Sequence, residues 1–574
     1  MKRLFPSRRG LRWWATLWLL LSGFASAAED AAVGPVIELP KFIVTDTREL
    51  PPPEQWRYGT IAGFEVLSNA SDRATQRLLR DFDMFRQALG HVWPIRTRIS
   101  HSTALIICGR KGKFDAFVPG VRLGPDVALA SLMLKKDDHT AIVIDMQATT
   151  LNILNIDGLN DAATGTDSGL ISVEHDKQLY REYVRYLLSQ MEPRAPAWFE
   201  EGLSQIIMKM QFDRKWIEFA RLEDPNTVSA QAAMTAELNA LATADDPDAA
   251  TLPGAPAEDR DFNAALNRRA LVPFERFFAV KHDSAEAISP LGNNRWAKQA
   301  YAFVHMCLYG YNGKYQKQFT TLLARSAREP VTETMFKECF NMSYKQMLMQ
   351  IRSYVEFTVY QHREYRSKTD VILPPPPLVL RDATESEVGR IKGEALLAAG
   401  HKAAARRELI APYVRGERDP KLLAALGLFE HAEGEKDRAR KFLEASVAAK
   451  ADRPSAFLEL ARIRYDEALA KPAGPDKSLS AAQANSVINL LLAARKQPPP
   501  MPAVYELLAD TWVRSSVTPK RDDVTILAEG VQLFPGRLKL TYQTAALCAT
   551  AGVPEAAHSL VDHGIRIAPD ANSR

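Results

Sequence analysis

The stretch "LYREYVRYLLSQMEPRAPAWFEEGLSQII" (residues 179–207) decides how the middle of this chain is read. Leu179, Tyr180, Tyr183, Val184, Leu187, Leu188 and Met191 recur at spacings of three and four, the pattern of one apolar helix face. "EPRAP" then breaks the helix, and Trp198, Phe199, Glu200, Glu201 and Gly202 open a second one that should end near Met210. In the first helix Arg181 and Arg185 stand four residues apart, hence on one side, with Glu182 next to the first.

The surroundings predict an α+β fold. "GFEVLSNAS" reads as a strand, followed by a helix from Asp72 to Val92 that carries Leu78, Phe82, Phe85 and Leu89 on one face, with Asn69 or Ser71 placed to cap it. "TALIICG", a helix through "KFDAFV", and "TAIVIDM" continue the alternation. From about 166 to 366 the period is helical, apart from a stretch rich in Ala, Asp and Pro at about 238–262 that is expected to be a mobile surface loop.

With these elements in place, residues 63–360 resemble the gluzincin, or peptidase MA-like, metallopeptidases, particularly exported bacterial ones. In that family one helix carries H-E-x-x-H, a proline-bearing turn follows, and a "W-L-x-E-G" segment supplies a third ligand; here "AWFEEGL" stands at the matching separation. The segments "RWAKQAYAFVHMCLYGY" and "FKECFNMSYKQMLMQIRSYV" are similar to the family's C-terminal helical support. The chemistry requires two imidazoles on one side of a helix, a glutamate that acts as general base on a metal-bound water, and a carboxylate from the next helix. The resemblance puts Arg181 and Arg185 at the histidine positions, Glu182 at the base and Glu201 at the third ligand.

A guanidinium offers five donors and no usable lone pair, so neither arginine can bind zinc. The resemblance therefore implies a degenerate site with zinc lost and no cofactor. Its arginines would pair with Glu201 and with Glu200 or Glu182, and Glu182 would be only a vestigial base. Other readings remain open. R-E-x-x-R taken alone is also what the solvated side of an amphipathic helix looks like. Glu174 and His175, one to two turns before Arg181, are placed to approach Glu182 in a replacement metal site. An active metallopeptidase or a metal-independent hydrolase with unconventional ligands is the alternative function. His305 in "YAFVHM" reads as a satisfied core histidine, and Tyr183 and Tyr301 as core aromatics. No G-x-S-x-G elbow, P-loop or dinucleotide fingerprint occurs where its fold context would require.

At the start of the chain Lys2, Arg3, Arg8, Arg9 and Arg12 precede the apolar "WWATLWLLLSGF" and the small-residue site Ala25-Ser26-Ala27, the organisation of a cleaved export signal. "SRRGLR" also resembles a twin-arginine signal. The apolar run is short for a membrane span, so no stable span is expected after cleavage. The product would work in the periplasm or cell envelope. Loss of those five basic residues takes the formal charge from +4 to about −1, which leaves no electrostatic case for nucleic acid. Four scattered cysteines, each in apolar context, form neither a disulfide framework nor a C-x-x-C site; a Cys307–Cys339 bridge is the one pairing weighed against four buried thiols.

After the tetraproline Pro374 to Pro377, a stiff linker by composition, the chain repeats every 34 residues: Gly400 with Gly434, Ala405 with Ala439, Leu409 with Leu443, Pro420 with Pro454, and later Pro535 with Pro569. This resembles the tetratricopeptide repeat, in which helix pairs stack and a proline closes the second helix. Four to five repeats are expected, irregular near "AKPAGPDKS". The expected organisation is a signal peptide (1–27), an extended lead (28–62), the gluzincin-like domain (63–367), a proline-rich linker (368–385) and the repeats (386–574). Its expected function is capture of a protein or peptide by the repeats.

Overall fold

A computed structural model of the chain describes residues 38–42, 50–93, 102–110, 112–120, 129–136, 139–148, 150–153, 169–191, 193–220, 222, 271–284, 286–287, 295–357, 362–471 and 478–568. The expected signal peptide, about half of the extended lead (residues 28–37 and 43–49) and the expected mobile loop lie outside the described residues. Met1–Glu38 and Leu39–Arg574 are separate units, and every element below belongs to the second.

β1 (Arg57–Ile61) and β2 (Phe64–Ser68) are antiparallel. They are joined by Ala62 and Gly63, whose φ values of 50° and 87° suit a two-residue hairpin turn. The last residues of the expected lead are thus a strand. α1 (Asp72–Val92) has the expected bounds, and Ser71 Oγ caps it by accepting the Ala74 N–H at 3.3 Å. α1 crosses over to β3 (Ser102–Cys108), which lies parallel to β2. Where a helix was expected through "KFDAFV" there is only a 3₁₀ turn, Asp115–Phe117, because Gly112 at positive φ and Pro119 leave too few residues between breakers. β4 (Ser131–Lys136) and β5 (His139–Asp145) follow, β5 parallel to β3 and β4 antiparallel on the outer edge.

A hairpin of β6 (Thr150–Ile153) and β7 (Gly169–Ser172) leads into α2 (His175–Ser189) and α3 (Ala197–Met208). Next come β8 (Gln211–Asp213), β9 (Trp216–Phe219), α4 (Phe274–Ala279), α5 (Arg295–Tyr309), α6 (Gln316–Ser326), α7 (Glu333–Phe340), α8 (Tyr344–Phe357) and β10 (Arg363–Arg366). β10 closes a three-stranded sheet on β9 and β8. Past the tetraproline, β11 (Arg381–Asp382) pairs with β1, so the main sheet runs β11-β1-β2-β3-β5-β4. The first repeat is therefore tied back onto the sheet.

Both faces of that sheet are covered, which explains why "ALIIC" is apolar without a break. Val66, Leu105, Ile107, Ile142 and Ile144 face a core shared with Leu78, Phe82 and Phe85 of α1 and with α2, α3 and α5. Leu67, Ala104, Ile106, Cys108, Ala141 and Val143 face the other way, onto Val388, Ile391, Ala395 and Leu396. Those last four lie in α9 (Glu385–Ala398), the first helix of the repeat region.

α9 pairs with α10 (Lys402–Val414), and four further pairs follow: α11 (Pro420–Ala432) with α12 (Lys436–Ala448), α13 (Pro454–Ala470) with α14 (Ala481–Arg495), α15 (Pro502–Arg514) with α16 (Arg521–Leu533), and α17 (Leu538–Thr550) with α18 (Pro554–Ile567). Gly400, Gly434 and Gly552 make the turn within their pairs at φ of 89°, 86° and 72°, a left-handed conformation that glycine takes without strain. The prolines at 420, 454, 502 and 554 sit in the first turn of the following helix, where their missing N–H needs no partner. They open helices rather than close them. All four cysteines are free, and Cys339 is half-buried rather than buried. Among the described residues no helix is long and apolar enough to cross a membrane.

The array is held to the sheet by charge as well as by apolar contact. Arg390 of α9, 1% exposed, donates to both oxygens of Glu65 on β2 at 2.8 and 3.0 Å. Lys421 and the Tyr58 hydroxyl also reach Glu65, at 3.3 and 2.9 Å, while Glu394 takes Arg453 at 2.8 Å. Burial alone would raise the Glu65 carboxyl, but Arg390 and Lys421 hold it well below the ordinary carboxylate range. Replacing Arg390 by Met leaves that carboxylate with only Lys421 and the Tyr58 hydroxyl and should cost about 3 kcal/mol in urea unfolding, with partial recovery when Glu65→Leu is added. A loss below about 1 kcal/mol would mean that the pair behaves like an exposed one.

Candidate functional site

α2 is buried around its whole circumference from Gln178 to Ser189. On one side Tyr180 stacks on Phe85 at a centroid distance of 3.8 Å and Tyr183 meets Phe82 edge-on at 5.1 Å, which docks α2 against α1. The opposite side carries Arg181, Glu182 and Arg185 and faces α3. α3 is drawn in where Gly202 lies against α5: a Cβ there would stand 2.5 Å from the Ala300 carbonyl oxygen and 2.6 Å from Val304 Cγ2. The Glu-Glu-Gly sequence thus sets two carboxylates beside the residue that permits closest helix approach.

Arg181, Glu182 and Arg185 are 2%, 1% and 8% exposed, and Glu200 and Glu201 are 1% and 2% exposed, so the reading of "REYVR" as a solvated face is wrong. Arg181 reaches Glu201 through Nε and Nη2, at 3.3 and 2.8 Å, and Glu182 through Nη1 at 3.0 Å. The second oxygen of Glu182 accepts from Arg185 Nη1 at 3.2 Å, and the first also accepts from Ser131 Oγ of β4 at 3.0 Å. Gln205, one turn beyond Glu201, donates to it at 2.7 Å. Arg185 Nε stands 3.5 Å from Glu200, which Arg194 grips with Nε and Nη2 at 3.2 and 3.0 Å.

Three guanidinium groups thus meet three carboxylates, Arg181 and Arg185 in a nearly dry space and Arg194 at its partly exposed rim, each bond charge-assisted. His282 Nε2 lies 3.2 Å from Glu200 and 3.0 Å from the Ala195 carbonyl. Burial would push the Glu200 carboxyl up, but the His282 contact and the charges of Arg194 and Arg185 outweigh it and hold it at about 2. Burial likewise opposes the charge on Arg185, and Glu182, Glu200 and Glu201 together raise it above the ordinary guanidinium value.

The remaining candidates fall elsewhere. His175 turns Nε2 to the Ala148 carbonyl at 3.0 Å, and Glu174 is exposed at the N-cap of α2; both sit about two turns, roughly 10 Å of helix rise, from Glu182. His305 is fully buried between the Tyr354 hydroxyl and the Ala220 carbonyl, each at 2.8 Å, as a core histidine should be. Among the described residues no three His, Cys, Asp or Glu side chains are grouped to hold a metal ion. Sequence reading missed Ser131, Arg194, Gln205 and His282. Of these only Gln205, four residues after Glu201 on the same helix, had a local signal.

No protein-family model and no curated protein matches the chain. Solved structures that share similarity with it include MamA from Desulfovibrio magneticus RS-1, residues 41 to the end, and a MamA RS-1 double mutant named ArsTM. Each is 14% identical at a TM-score of 0.25 over 32% of this chain, covering 96% and 95% of the respective structures. The repeat character of residues 385–567 follows from the chain's own helix pairs and glycine turns.

Glu200 is held below its ordinary value of 4.5, so its contribution is complete above about pH 4.5 and lost as the pH falls toward 2. That contribution is on the order of 3 kcal/mol. Melting temperature followed from pH 5 to 2 should fall steeply for the native chain and less steeply for Glu200→Gln, whose stability at neutral pH is already lowered. Equal slopes would remove Glu200 from the acid response.

Proposed function

We propose that the chain is an exported, non-catalytic scaffold. In this reading a gluzincin-like domain has exchanged its metal for an arginine–glutamate cluster, and a tetratricopeptide-like array captures a protein or peptide. The observation that carries it is the double grip of Arg181 on Glu201 and Glu182, the two positions where such a domain keeps its third ligand and its general base.

Zinc does not fit these residues. Two of the required donors are guanidinium groups without lone pairs, and both surviving carboxylates already accept charge-assisted bonds. A general base must also reach the proton it removes, whereas Glu182 is 1% exposed with both oxygens engaged by Arg181, Arg185 and Ser131. The array supports the binding half of the reading: stacked helix pairs present an extended surface, and these are anchored to the sheet through Arg390. The basic and apolar first residues support export.

Zinc measured by elemental mass spectrometry on the purified mature protein, after loading and removal of loosely bound metal, tests the loss of the site. The native chain should carry none, and Arg181→His with Arg185→His, which rebuilds H-E-x-x-H opposite Glu201, should take up about one ion. Near-stoichiometric zinc in the native chain that disappears with Glu201→Ala overturns the proposal, as does peptide turnover abolished by Glu182→Gln.

A further inference from the structure

The array already holds an extended segment of the chain itself. Residues 39–42, Leu-Pro-Lys-Phe, lie against α10 and α12, with Leu39 and Phe42 packed on the buried cluster to which α10 gives Leu409, Ile410 and Tyr413, α12 gives Phe442, and α11 beneath them gives Leu426 and Phe429, while Lys41 is exposed. The Phe42 ring stacks on Phe442 at a centroid distance of 5.8 Å and an angle of 14°, and meets Tyr413 edge-on at 5.6 Å. The Arg406 guanidinium stands 5.8 Å over the same ring. The Tyr413 hydroxyl donates to the Pro40 carbonyl at 2.8 Å, and Tyr413 is itself braced by Arg418 at 4.0 Å.

Farther along the lead, Arg415 donates to the Pro51 carbonyl and Glu54 pairs with Lys392 at 3.3 Å. These contacts read the backbone carbonyls of two prolines, residues that fix φ and offer no donor, and one aromatic anchor. Phe42 itself remains half-buried.

We propose that the surface between α10 and α12 is a recognition site for extended polypeptide segments in which an aromatic residue follows a proline by two positions, residues 39–42 being its resident occupant in cis. A partner segment of the same chemistry binds by displacing that resident. The inference rests on the reading of the array as a polypeptide binder and narrows it to one place and one ligand class. Selectivity comes from three elements: an aromatic and cationic slot for the ring, a hydroxyl donor for the carbonyl before it, and open solvent for the residue between.

The test uses the full chain and a fluorescein-labelled peptide of sequence ELPKFI, followed by anisotropy. Because the tethered resident competes at high local concentration, Phe42→Ala should bind the peptide at least about tenfold more tightly than the native chain. Phe442→Ala added to Phe42→Ala should abolish that binding, and a peptide with alanine for phenylalanine should not bind. A folded Phe42→Ala chain that ignores the peptide overturns the proposal and makes residues 39–42 a structural strap. A dimer formed in place of peptide binding assigns the surface to a second copy and also overturns it.

Should Phe42→Ala fail to fold, the native chain saturated with peptide carrying benzoylphenylalanine at the aromatic position should crosslink within residues 402–414 or 436–448. Crosslinks confined to residues 454–567 sink this site while leaving the array a peptide binder. No crosslink anywhere counts against both.

Discussion

A guanidinium group removed from water must be met by carboxylates, and that requirement organises the centre of this protein. Arg181 and Arg185 come from α2; Glu201 and Glu200 come from α3, two helices joined by a short proline turn. The ion pairs can form only if the helices face each other in one register, and Gly202 lets α3 approach α5 closely enough for that register to close into a dry core. Such pairs contribute little net stability compared with apolar residues of the same volume, because desolvation opposes them. They do penalise every other alignment, since a slipped helix would bury an unmatched charge.

The same constraint recurs at the junction of sheet and array. Arg390 enters a layer that includes Ile391, Ala395, Leu67 and Ile106 and is tolerated because Glu65 receives it with two bonds. Apolar area supplies the attraction between the layers, and the ion pair sets where along the strand α9 stops. The first two repeats are therefore held in fixed relation to the sheet.

Much of this was legible in the sequence, for identifiable reasons. α1 could be read because period, cap and length agree: Leu78, Phe82, Phe85 and Leu89 face one way and Ser71 stands where a cap belongs. The 34-residue repeat was legible in Gly400 and Gly434, since the turn within each of those two pairs takes positive φ. The pairing of Arg181 with Glu182 and Glu201 followed from the spacing of two cations on one helix and carboxylates at the start of the next. What stayed hidden was nonlocal. Nothing near Ser131 or His282 in the chain announces Glu182 or Glu200, and composition could not show that the tetraproline leads into a strand beside β1 rather than away from the sheet. "KFDAFV" misled because its apolar spacing suits a helix that neighbouring glycine and proline prevent.

The docking of α9 on the sheet also bears on the order in which the protein is built. Glu65 meets Arg390 across 325 residues, and β1 finds its outer partner only in Arg381–Asp382. While the chain is being synthesised, Leu67, Ile106 and Val143 have emerged but the helix that covers them has not. The sheet must wait with one apolar face uncovered and one edge unpaired, the kind of surface on which nascent chains aggregate or recruit chaperones. Completion of the amino-terminal half is thereby coupled to the first repeat, so a half-made chain is a recognisably unfinished molecule rather than a smaller folded one.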